Sequence, residues 1–254
     1  MPSSACMAPT GPGGIDDFRK ILRYRMAELY CDEYGPLHQR SFVMPVGLLL
    51  VIDDANGGDI TAVELFKRFN LLHSQSQNII DFYFLGWEWN SRQRRSAGIK
   101  FNLLSFLSCQ STLSELGVRF GGNADLILLD AHFSPGRIAL NFEEAICVNL
   151  SRSVAEKEIP SAGEFLQTII DAAKTVRENA PSQLDRAVVF HISDRLGVAT
   201  AKTSFLDFIL RKWGEVIGAK KLKAIAVRNI GPNIDLDRMS LDVVSQGPTS
   251  GMDY

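Results

Sequence analysis

The feature that most constrains this chain is the stretch from Gly47 to Ile60, GLLLVIDDANGGDI. Its first part, Gly47 to Ile52, is a continuous apolar run of the kind that forms a strand buried on both faces. Two carboxylates follow, Asp53 and Asp54, and then a turn with two glycines before an amphipathic segment. The order strand, polar turn, helix predicts a βα unit, and open α/β sheets bind ligands beyond the carboxyl ends of their strands. We therefore expect the functional site at this turn.

Strand-like and helix-like segments alternate through most of the remaining chain. The other predicted strands are Ile79–Trp87, Asp125–Asp130, Ala187–Ser193 and Leu222–Val227. Four of the predicted helices are Ile15 to about Glu33, Ile60 to about His73, Leu103–Leu116 and Thr200–Ile217. A fifth helix is predicted to begin at the capping box of Ser161 and Glu164 and to end near Arg177. This alternation predicts an α/β fold with a mainly parallel sheet, helices on both faces and right-handed crossovers.

Two short apolar runs, Ile138–Phe142 and Ala145–Leu150, are separated by Glu143 and Glu144 and are predicted to form an antiparallel hairpin. The complete prediction is a mainly parallel three-layer sheet, Rossmann-like or flavodoxin-like, with an N-terminal accessory helix and a β-hairpin insertion. Residues 1–14 are expected to be a flexible tail because they are rich in Ser, Ala, Pro and Gly and lack the apolar core of a signal peptide. Residues 15–230 are expected to form a single domain and residues 231–254 an irregular C-terminal segment.

Composition limits the class of protein. Of the 254 residues, 46% are hydrophobic and 22% are charged, which is typical of a globular chain that buries a core. The formal net charge of −2 gives the whole chain no electrostatic footprint for nucleic acid or for an anionic membrane, and no apolar run approaches the roughly 20 residues of a membrane-spanning helix. Widely spaced cysteines without a Cys-x-x-Cys pair favour a reducing compartment, so we expect a cytoplasmic protein. These cysteines are Cys6, Cys31, Cys109 and Cys147.

If the predicted strands are parallel, polar residues that follow them share one edge of the sheet. These residues are Asp53, Asp54, Trp87, Glu88, Asp130, His132, His191 and Asp194. Several carboxylates at one edge repel one another unless a cation lies among them, and oxygen ligands of this kind suit Mg²⁺. The metal ligands predicted on this basis are Asp53, Asp54 and Asp130.

The remaining candidate residues are predicted to bind a phosphorylated ligand or to transfer protons to and from it. His191 or His132, together with Asp130, is expected to transfer protons. Asn56, Gly57 and Gly58 lead into a helix N-terminus, whose backbone N–H groups favour a phosphate. Further ligand contacts are predicted for Arg92, Trp87, Glu88 and Asp194. The sequence thus indicates a metal-assisted enzyme of hydrolase or phosphoryl-transfer type that acts on a nucleotide or other phosphorylated small molecule.

Structural explanations stay open for the same residues. Asp54 and Asp59 can be ordinary turn and N-cap residues, and His191 can be a buried, hydrogen-bonded histidine. Arg92 to Arg95 can form a solvated loop. The competing functional hypothesis is a non-catalytic ligand-sensing or assembly module with a protein partner or a second copy of the chain, and a weaker third one is nucleic-acid binding through the arginine run.

One local resemblance concerns the acidic residues. Asp53-Asp54, with LILLD at Leu126–Asp130, resembles the acidic pocket of response-regulator receiver domains, which implies magnesium binding by the pair and phosphorylation of Asp130. The resemblance covers about a dozen residues. The gap between the two elements is longer than in that family, and we assign no family on this basis.

Overall fold

A computed structural model describes residues 7–9, 11, 13–32, 42–52, 60–76, 80–89, 99–115, 117–118, 124–134, 137–178, 225–228 and 230–236. The helices are α1 (Ile15–Asp32), α2 (Ile60–Ser76), α3 (Leu103–Glu115), α4 (Leu150–Ala155) and α5 (Ala162–Glu178). The strands are β1 (Met7–Pro9), β2 (Phe42–Val51), β3 (Asp81–Phe84), β4 (Trp87–Trp89), β5 (Ile99–Phe101), β6 (Ala124–Ser134), β7 (Arg137–Asn149), β8 (Ile225–Arg228) and β9 (Ile234–Asp235). None of the helices in these ranges is long and apolar enough to cross a bilayer.

Among the described residues, seven strands form one mixed sheet in the order β1-β3-β2-β6-β7-β8, and β9 is added beside β7. Strands β1 and β2 both run parallel to β3. Strand β6 is antiparallel to β2, and β7 is antiparallel to β6, β8 and β9. Strands β4 and β5 form a separate antiparallel ribbon. The protein therefore has an α/β fold whose sheet is parallel on one side of β2 and antiparallel on the other.

The expectation of a mainly parallel sheet is not confirmed in the described part of the chain. The segment Asp125–Asp130, predicted as a third parallel strand, belongs to β6 and pairs with β2 in the opposite direction. Its apolar run is buried on both faces, as a parallel strand would be, because helices and other segments cover both sides of the sheet. Burial on two faces therefore did not reveal strand direction.

A hairpin is present, but its strands differ from those predicted. The runs Ile138–Phe142 and Ala145–Leu150 do not pair with each other, because residues of both lie in the single strand β7, which pairs with β6. A register shift opposite Leu128 and Asp130 places the residues between the two runs in a bulge. The bulge changes which residues of β7 face each side, and this explains the interruption of the apolar pattern.

Both chain ends contribute strands. Met7–Pro9, within the expected flexible tail, is a buried edge strand whose backbone pairs with β3. Ile234–Asp235, within the expected irregular C-terminal segment, pairs with β7. The predicted N-terminal helix is confirmed as α1. The predicted strand Ala187–Ser193 and helix Thr200–Ile217 lie outside the described residues.

Each face of the sheet has its own hydrophobic core, because alternate residues of β2 point to opposite sides. Leu48 and Leu50 contact a core to which α1 and α3 contribute. Leu49 and Val51 contact a second core to which α2 and α5 contribute. Both faces of β2 are therefore apolar and covered, in agreement with its continuous hydrophobic sequence.

Candidate functional site

The carboxyl ends of β1, β2 and β3 share one edge of the sheet, because these three strands are parallel. We call this edge the carboxyl edge; it is defined by Pro9, Val51 and Phe84. The chain leaves β1 for α1, which packs on one face, and leaves β2 for α2, which packs on the other. After β3 it passes through the β4–β5 ribbon to α3, on the same face as α1. The connections after the neighbouring strands β2 and β3 therefore diverge, which is the arrangement that forms a ligand crevice in α/β sheets.

Trp87, a predicted ligand contact, lies at this point of divergence. Its indole N–H donates a 2.8 Å hydrogen bond to the carbonyl oxygen of Val51, the last residue of β2. The side chain is 3% exposed, and its ring contacts Phe101 of β5 with ring centroids 5.3 Å apart. Trp87 therefore links the end of β2 to the β4–β5 ribbon, and its buried ring packs next to the carboxyl edge.

Glu88, the next predicted contact, has a charged partner. Its carboxylate lies 2.6 Å from Nζ of Lys100, directly across the β4–β5 ribbon. The Glu88 side chain is only 13% exposed, whereas that of Lys100 is 57% exposed. This pair neutralises the carboxylate, so Glu88 contributes less negative charge to the edge than its sequence position suggests.

Gly86 allows the turn between β3 and the ribbon to approach α3. Its φ of +79° lies in the left-handed region, and an added Cβ would come within 2.6 Å of the Phe106 Cα. The carbonyl of Gly86 accepts a 2.8 Å bond from the backbone N–H of Asn102, directly before α3. The backbone N–H of Gly11, which follows β1, donates to the carbonyl of Trp87 at 2.8 Å. The turns at the carboxyl edge are thus tied to one another by backbone hydrogen bonds.

Polar side chains of the protein itself lie at the N-termini of two helices at this edge. The carboxylate of Asp17 accepts a 2.7 Å bond from the backbone N–H of Gly13 before α1, and its hydrogen bond from Lys20 lowers the pKa of Asp17. The side-chain oxygen of Asn102 accepts a 3.1 Å bond from the N–H of Ser105 in α3. The start of α3 therefore has an internal acceptor, and Asp17 already places a negative charge in the first turn of α1, where an external anion would otherwise bind.

Most of the residues predicted to bind the ligand lie outside the described residues. The structure describes the chain up to Ile52 and again from Ile60, at the two ends of the connection between β2 and α2. The candidates outside the described ranges are Asp53, Asp54, Asn56, Gly57, Gly58, Arg92, His191 and Asp194. Their predicted roles stay predictions.

Asp130 and His132 lie at the other end of β2. Because β6 is antiparallel, Asp130 is opposite Pro45 and His132 is opposite Val43, near the start of β2. Pro45 and Val51 are six positions apart, which corresponds to about 20 Å along a strand. The structure thus brings Trp87 and Glu88 to the carboxyl edge and places Asp130 and His132 away from it.

A buried ion pair between Arg25 and Asp81 is not among the features predicted from the sequence. Nε of Arg25 lies 2.8 Å from Oδ2 of Asp81, and both side chains are almost completely buried. The Tyr83 hydroxyl donates to the same oxygen at 3.1 Å, while Oδ1 of Asp81 is buried without a hydrogen-bond partner in the described structure. Burial raises the pKa of Asp81 to about 6, against the opposing attraction of Arg25.

Helical spacing could have revealed one half of this pair. Arg25 follows Phe18 and Leu22 at the seven- and three-residue spacings of one helix face, so it occupies the buried side of α1. The buried position of Asp81, at the start of an aromatic strand, had no comparable signal.

Cys109 lies in the core beside the carboxyl edge and has no exposed surface. Burial raises the pKa of its thiol to about 11, so the thiol stays protonated at neutral pH. Since the thiolate is the nucleophilic form, Cys109 has the properties of a core residue.

Comparisons with protein-family models, with curated proteins and with solved structures find no significant match to this chain. Among the described residues, no group of three or more histidine, cysteine, aspartate or glutamate side chains could hold a metal ion. The observations that bear on function are therefore the geometry of the carboxyl edge and the sequence of the connection after β2.

Proposed function

We propose that the protein binds a small phosphorylated ligand, such as a nucleotide, at the carboxyl edge. The observation that carries the proposal is the divergence of the chain after β2 and β3, two parallel neighbours whose following helices pack on opposite faces. A crevice at such a point is the common ligand site of α/β sheets. The polar connection Asp53–Asp59 begins beside it, one residue after Ile52.

The caps of the other helices support a location at α2. Asp17 already supplies a carboxylate in the first turn of α1, and Asn102 accepts a hydrogen bond from a backbone N–H group at the start of α3. The connection before α2 has glycines at positions 57 and 58, which allow backbone N–H groups to approach a phosphate closely. In the proposal this turn holds the phosphate. Trp87 stabilises the end of β2, from which the turn begins, through its hydrogen bond to Val51.

The proposal includes Mg²⁺ because Asp53 and Asp54 are adjacent carboxylates. Adjacent carboxylates repel each other, and a divalent cation shared with the ligand phosphate relieves that repulsion. We propose these two residues as the metal ligands. Proton transfer by His191 and ligand contacts by Arg92 and Asp194 complete the proposal for a hydrolase or phosphoryl-transfer enzyme.

The test is a thermal-shift measurement of the full chain with a panel of nucleotides and sugar phosphates, with and without Mg²⁺. A ligand at one hundred times its Kd stabilises the folded state by about 2.7 kcal/mol, which raises Tm by several degrees. We expect Asp53→Asn and Asp54→Asn to lose the magnesium-dependent part of the shift. Glu143→Gln, an exposed change on β7, is the matched control and keeps the whole shift.

Two results would contradict the proposal. One is the absence of a shift with every phosphorylated compound. The other is an equal shift in wild type, Asp53→Asn and Asp54→Asn. A His132→Gln variant separates this location from a site on β6, because a shift lost only in that variant places the ligand at the opposite end of β2.

Catalysis is tested separately from binding. If the protein is a phosphatase or a phosphoryl transferase, then the ligand that shifts Tm is consumed, and inorganic phosphate or a phosphorylated acceptor accumulates. A ligand that binds and is recovered unchanged identifies a sensing module, which is the non-catalytic alternative for the same edge.

A further inference from the structure

The turn after α4 contains two buried polar side chains with unpartnered atoms. Ser153 is completely buried and Glu158 is 5% exposed. Neither Oγ of Ser153 nor Oε2 of Glu158 has a hydrogen-bond partner in the described structure. A serine hydroxyl within a helix often donates to the carbonyl four residues earlier, and nearly all buried polar atoms of folded proteins have a partner. We call Ser153 and Glu158 the polar pair, and its two orphaned oxygens are candidates for contact with a small ion or molecule.

The backbone of the turn brings the polar pair together. The N–H of Glu158 donates to the carbonyl of Ser153 at 2.8 Å, and the N–H of Lys157 donates to the carbonyl of Val154 at 3.0 Å. These two bonds form the Schellman motif of a helix C-terminus, in which the residues at the positions of Ser153 and Glu158 frequently make a hydrophobic contact. In this turn both residues are polar. The motif therefore places a hydroxyl and a carboxylate where two apolar side chains commonly meet.

The backbone of the same turn is strained at Lys157. Its φ of +57° is the only positive φ of a non-glycine residue among the described residues. This position of the motif is usually glycine, because a side chain disfavours the left-handed region. Strain of this kind is often found at functional sites. The polar pair and the strained residue are thus two separate departures from the stable form of the motif within one turn.

The surroundings of Glu158 are apolar. Val154 and Ile159 both pack against the hydrophobic core to which α2 and α5 contribute. Arg152 of α4 is engaged with a different carboxylate, because its Nε lies 2.7 Å from Oε1 of Glu156 and its side chain is 69% exposed. An ionised carboxylate in apolar surroundings is costly unless a cation compensates its charge. A small cation beside Glu158 would supply that compensation.

We propose that the polar pair binds an alkali-metal cation, Na⁺ or K⁺, at the end of α4. A single buried carboxylate matches one positive charge, whereas a divalent cation would leave excess charge in apolar surroundings. Hydroxyl and carboxylate oxygens are hard ligands of the kind that such cations take. Sites for divalent and transition metals commonly use several acidic, histidine or cysteine side chains, and no group of three that could hold a metal exists among the described residues. The proposal does not depend on the phosphorylated ligand at the carboxyl edge.

The test compares Tm of the full chain in NaCl, KCl and choline chloride at equal ionic strength. Choline has the same charge but is too large to reach atoms buried in a turn, so it corrects for screening by salt. We expect Na⁺ or K⁺, at about ten times its Kd, to raise Tm by about 3 °C over choline. Glu158→Gln is expected to lose this difference, and Ser153→Ala to weaken the affinity severalfold. In choline, Glu158→Gln is expected to melt no lower than the wild type, because the amide removes an uncompensated buried charge.

Glu156→Gln is the matched control, because it makes the same change two residues earlier on a carboxylate that is 46% exposed and paired with Arg152. It is expected to keep the difference between Na⁺ or K⁺ and choline. Equal Tm values of the wild type in the three salts would overturn the proposal and would assign the polar pair to water. An equal cation effect in the wild type and Glu158→Gln would also overturn it. A shift that requires Mg²⁺ or Ca²⁺ and is absent in Na⁺ and K⁺ would assign the pair to a divalent cation and would overturn it as well.

Discussion

At the residue scale, the buried carboxyl group of Asp81 makes the stability of the folded protein depend on pH. Burial raises the pKa of Asp81 to about 6 from a usual value of 3.8, even though Arg25 lies 2.8 Å away. The folded protein therefore holds this proton more tightly than the unfolded chain does. The stability that results is complete below the unfolded pKa and is lost as pH rises through about 6.

The first prediction follows from this loss of stability with rising pH. Between pH 4 and pH 7, the free energy of unfolding of the wild type is expected to fall relative to that of Asp81→Asn, by up to about 3 kcal/mol at 1.36 kcal/mol per pKa unit. Urea denaturation at several pH values measures both profiles. Profiles that stay parallel across this range would show that Asp81 keeps its ordinary pKa in the folded state.

A second prediction concerns Gly86 at the carboxyl edge. Gly86→Ala is expected to destabilise the protein by about 2 kcal/mol or more, because the new Cβ meets the Phe106 backbone and the residue has positive φ. Gly117→Ala is the matched control. Gly117 has a similar φ of +86°, but its nearest contact for a Cβ is Pro232 Cδ at 3.4 Å, so only the backbone penalty of about 1–2 kcal/mol applies. Equal losses of stability in the two variants would remove the steric argument.

At the scale of the elements, α2 caps α5. The carboxylate of Glu64 accepts hydrogen bonds from the backbone N–H groups of Ala162 at 3.2 Å and Gly163 at 3.3 Å. Ser161 adds the predicted capping contact, because its hydroxyl oxygen accepts a 3.3 Å bond from the N–H of Glu164. The start of α5 is therefore satisfied partly by its own sequence and partly by a neighbouring helix.

The third prediction is that Glu64→Gln costs about 1 kcal/mol of stability, because the amide keeps one acceptor but loses the negative charge at the N-terminus of α5. Chemical denaturation measures the difference. Glu143→Gln on β7 serves as the comparison, with an expected change below about 0.5 kcal/mol. A Glu64 variant that is as stable as this control would mean that the cap contributes nothing measurable.

The elements also show what the sequence could and could not predict. Amphipathic spacing located α1, α2, α3 and α5, because each helix has one buried side. Strand direction was not predictable for β6, since its apolar run is compatible with either direction in a sheet covered on both faces. For the candidate site, the position of Trp87 at the carboxyl edge was predictable, because β2 and β3 are parallel as expected. The separation of Asp130 from that edge was not predictable, because it depends on the antiparallel pairing of β6 with β2.

At the scale of the whole molecule, the N-terminal strand closes one side of the sheet. Met7 and Pro9 pair with β3 and are buried, and the backbone N–H of Met7 also donates to Nδ1 of His73 in α2 at 3.2 Å. Without β1, the backbone of β3 would present an unpaired edge.

The fourth prediction is that deletion of residues 1–10 lowers Tm and produces aggregates, because the exposed edge of β3 is aromatic and can pair with another chain. Size-exclusion chromatography with light scattering detects the change. Deletion of residues 1–5, which precede β1, is the control and is expected to leave a particle like the wild type. A monodisperse, equally stable protein after the longer deletion would show that β1 is dispensable.

The position of β1 also has a consequence for the order of folding. β1 is synthesised first, but its pairing partner β3 follows α1, β2 and α2 in the chain, so this contact closes a long loop, whereas β6 and β7 are consecutive and close a short one. Loop closure of this kind is slow, and local pairings form ahead of it. The β6–β7 hairpin can therefore be in place early, whereas the β1–β3 contact at the carboxyl edge is completed late.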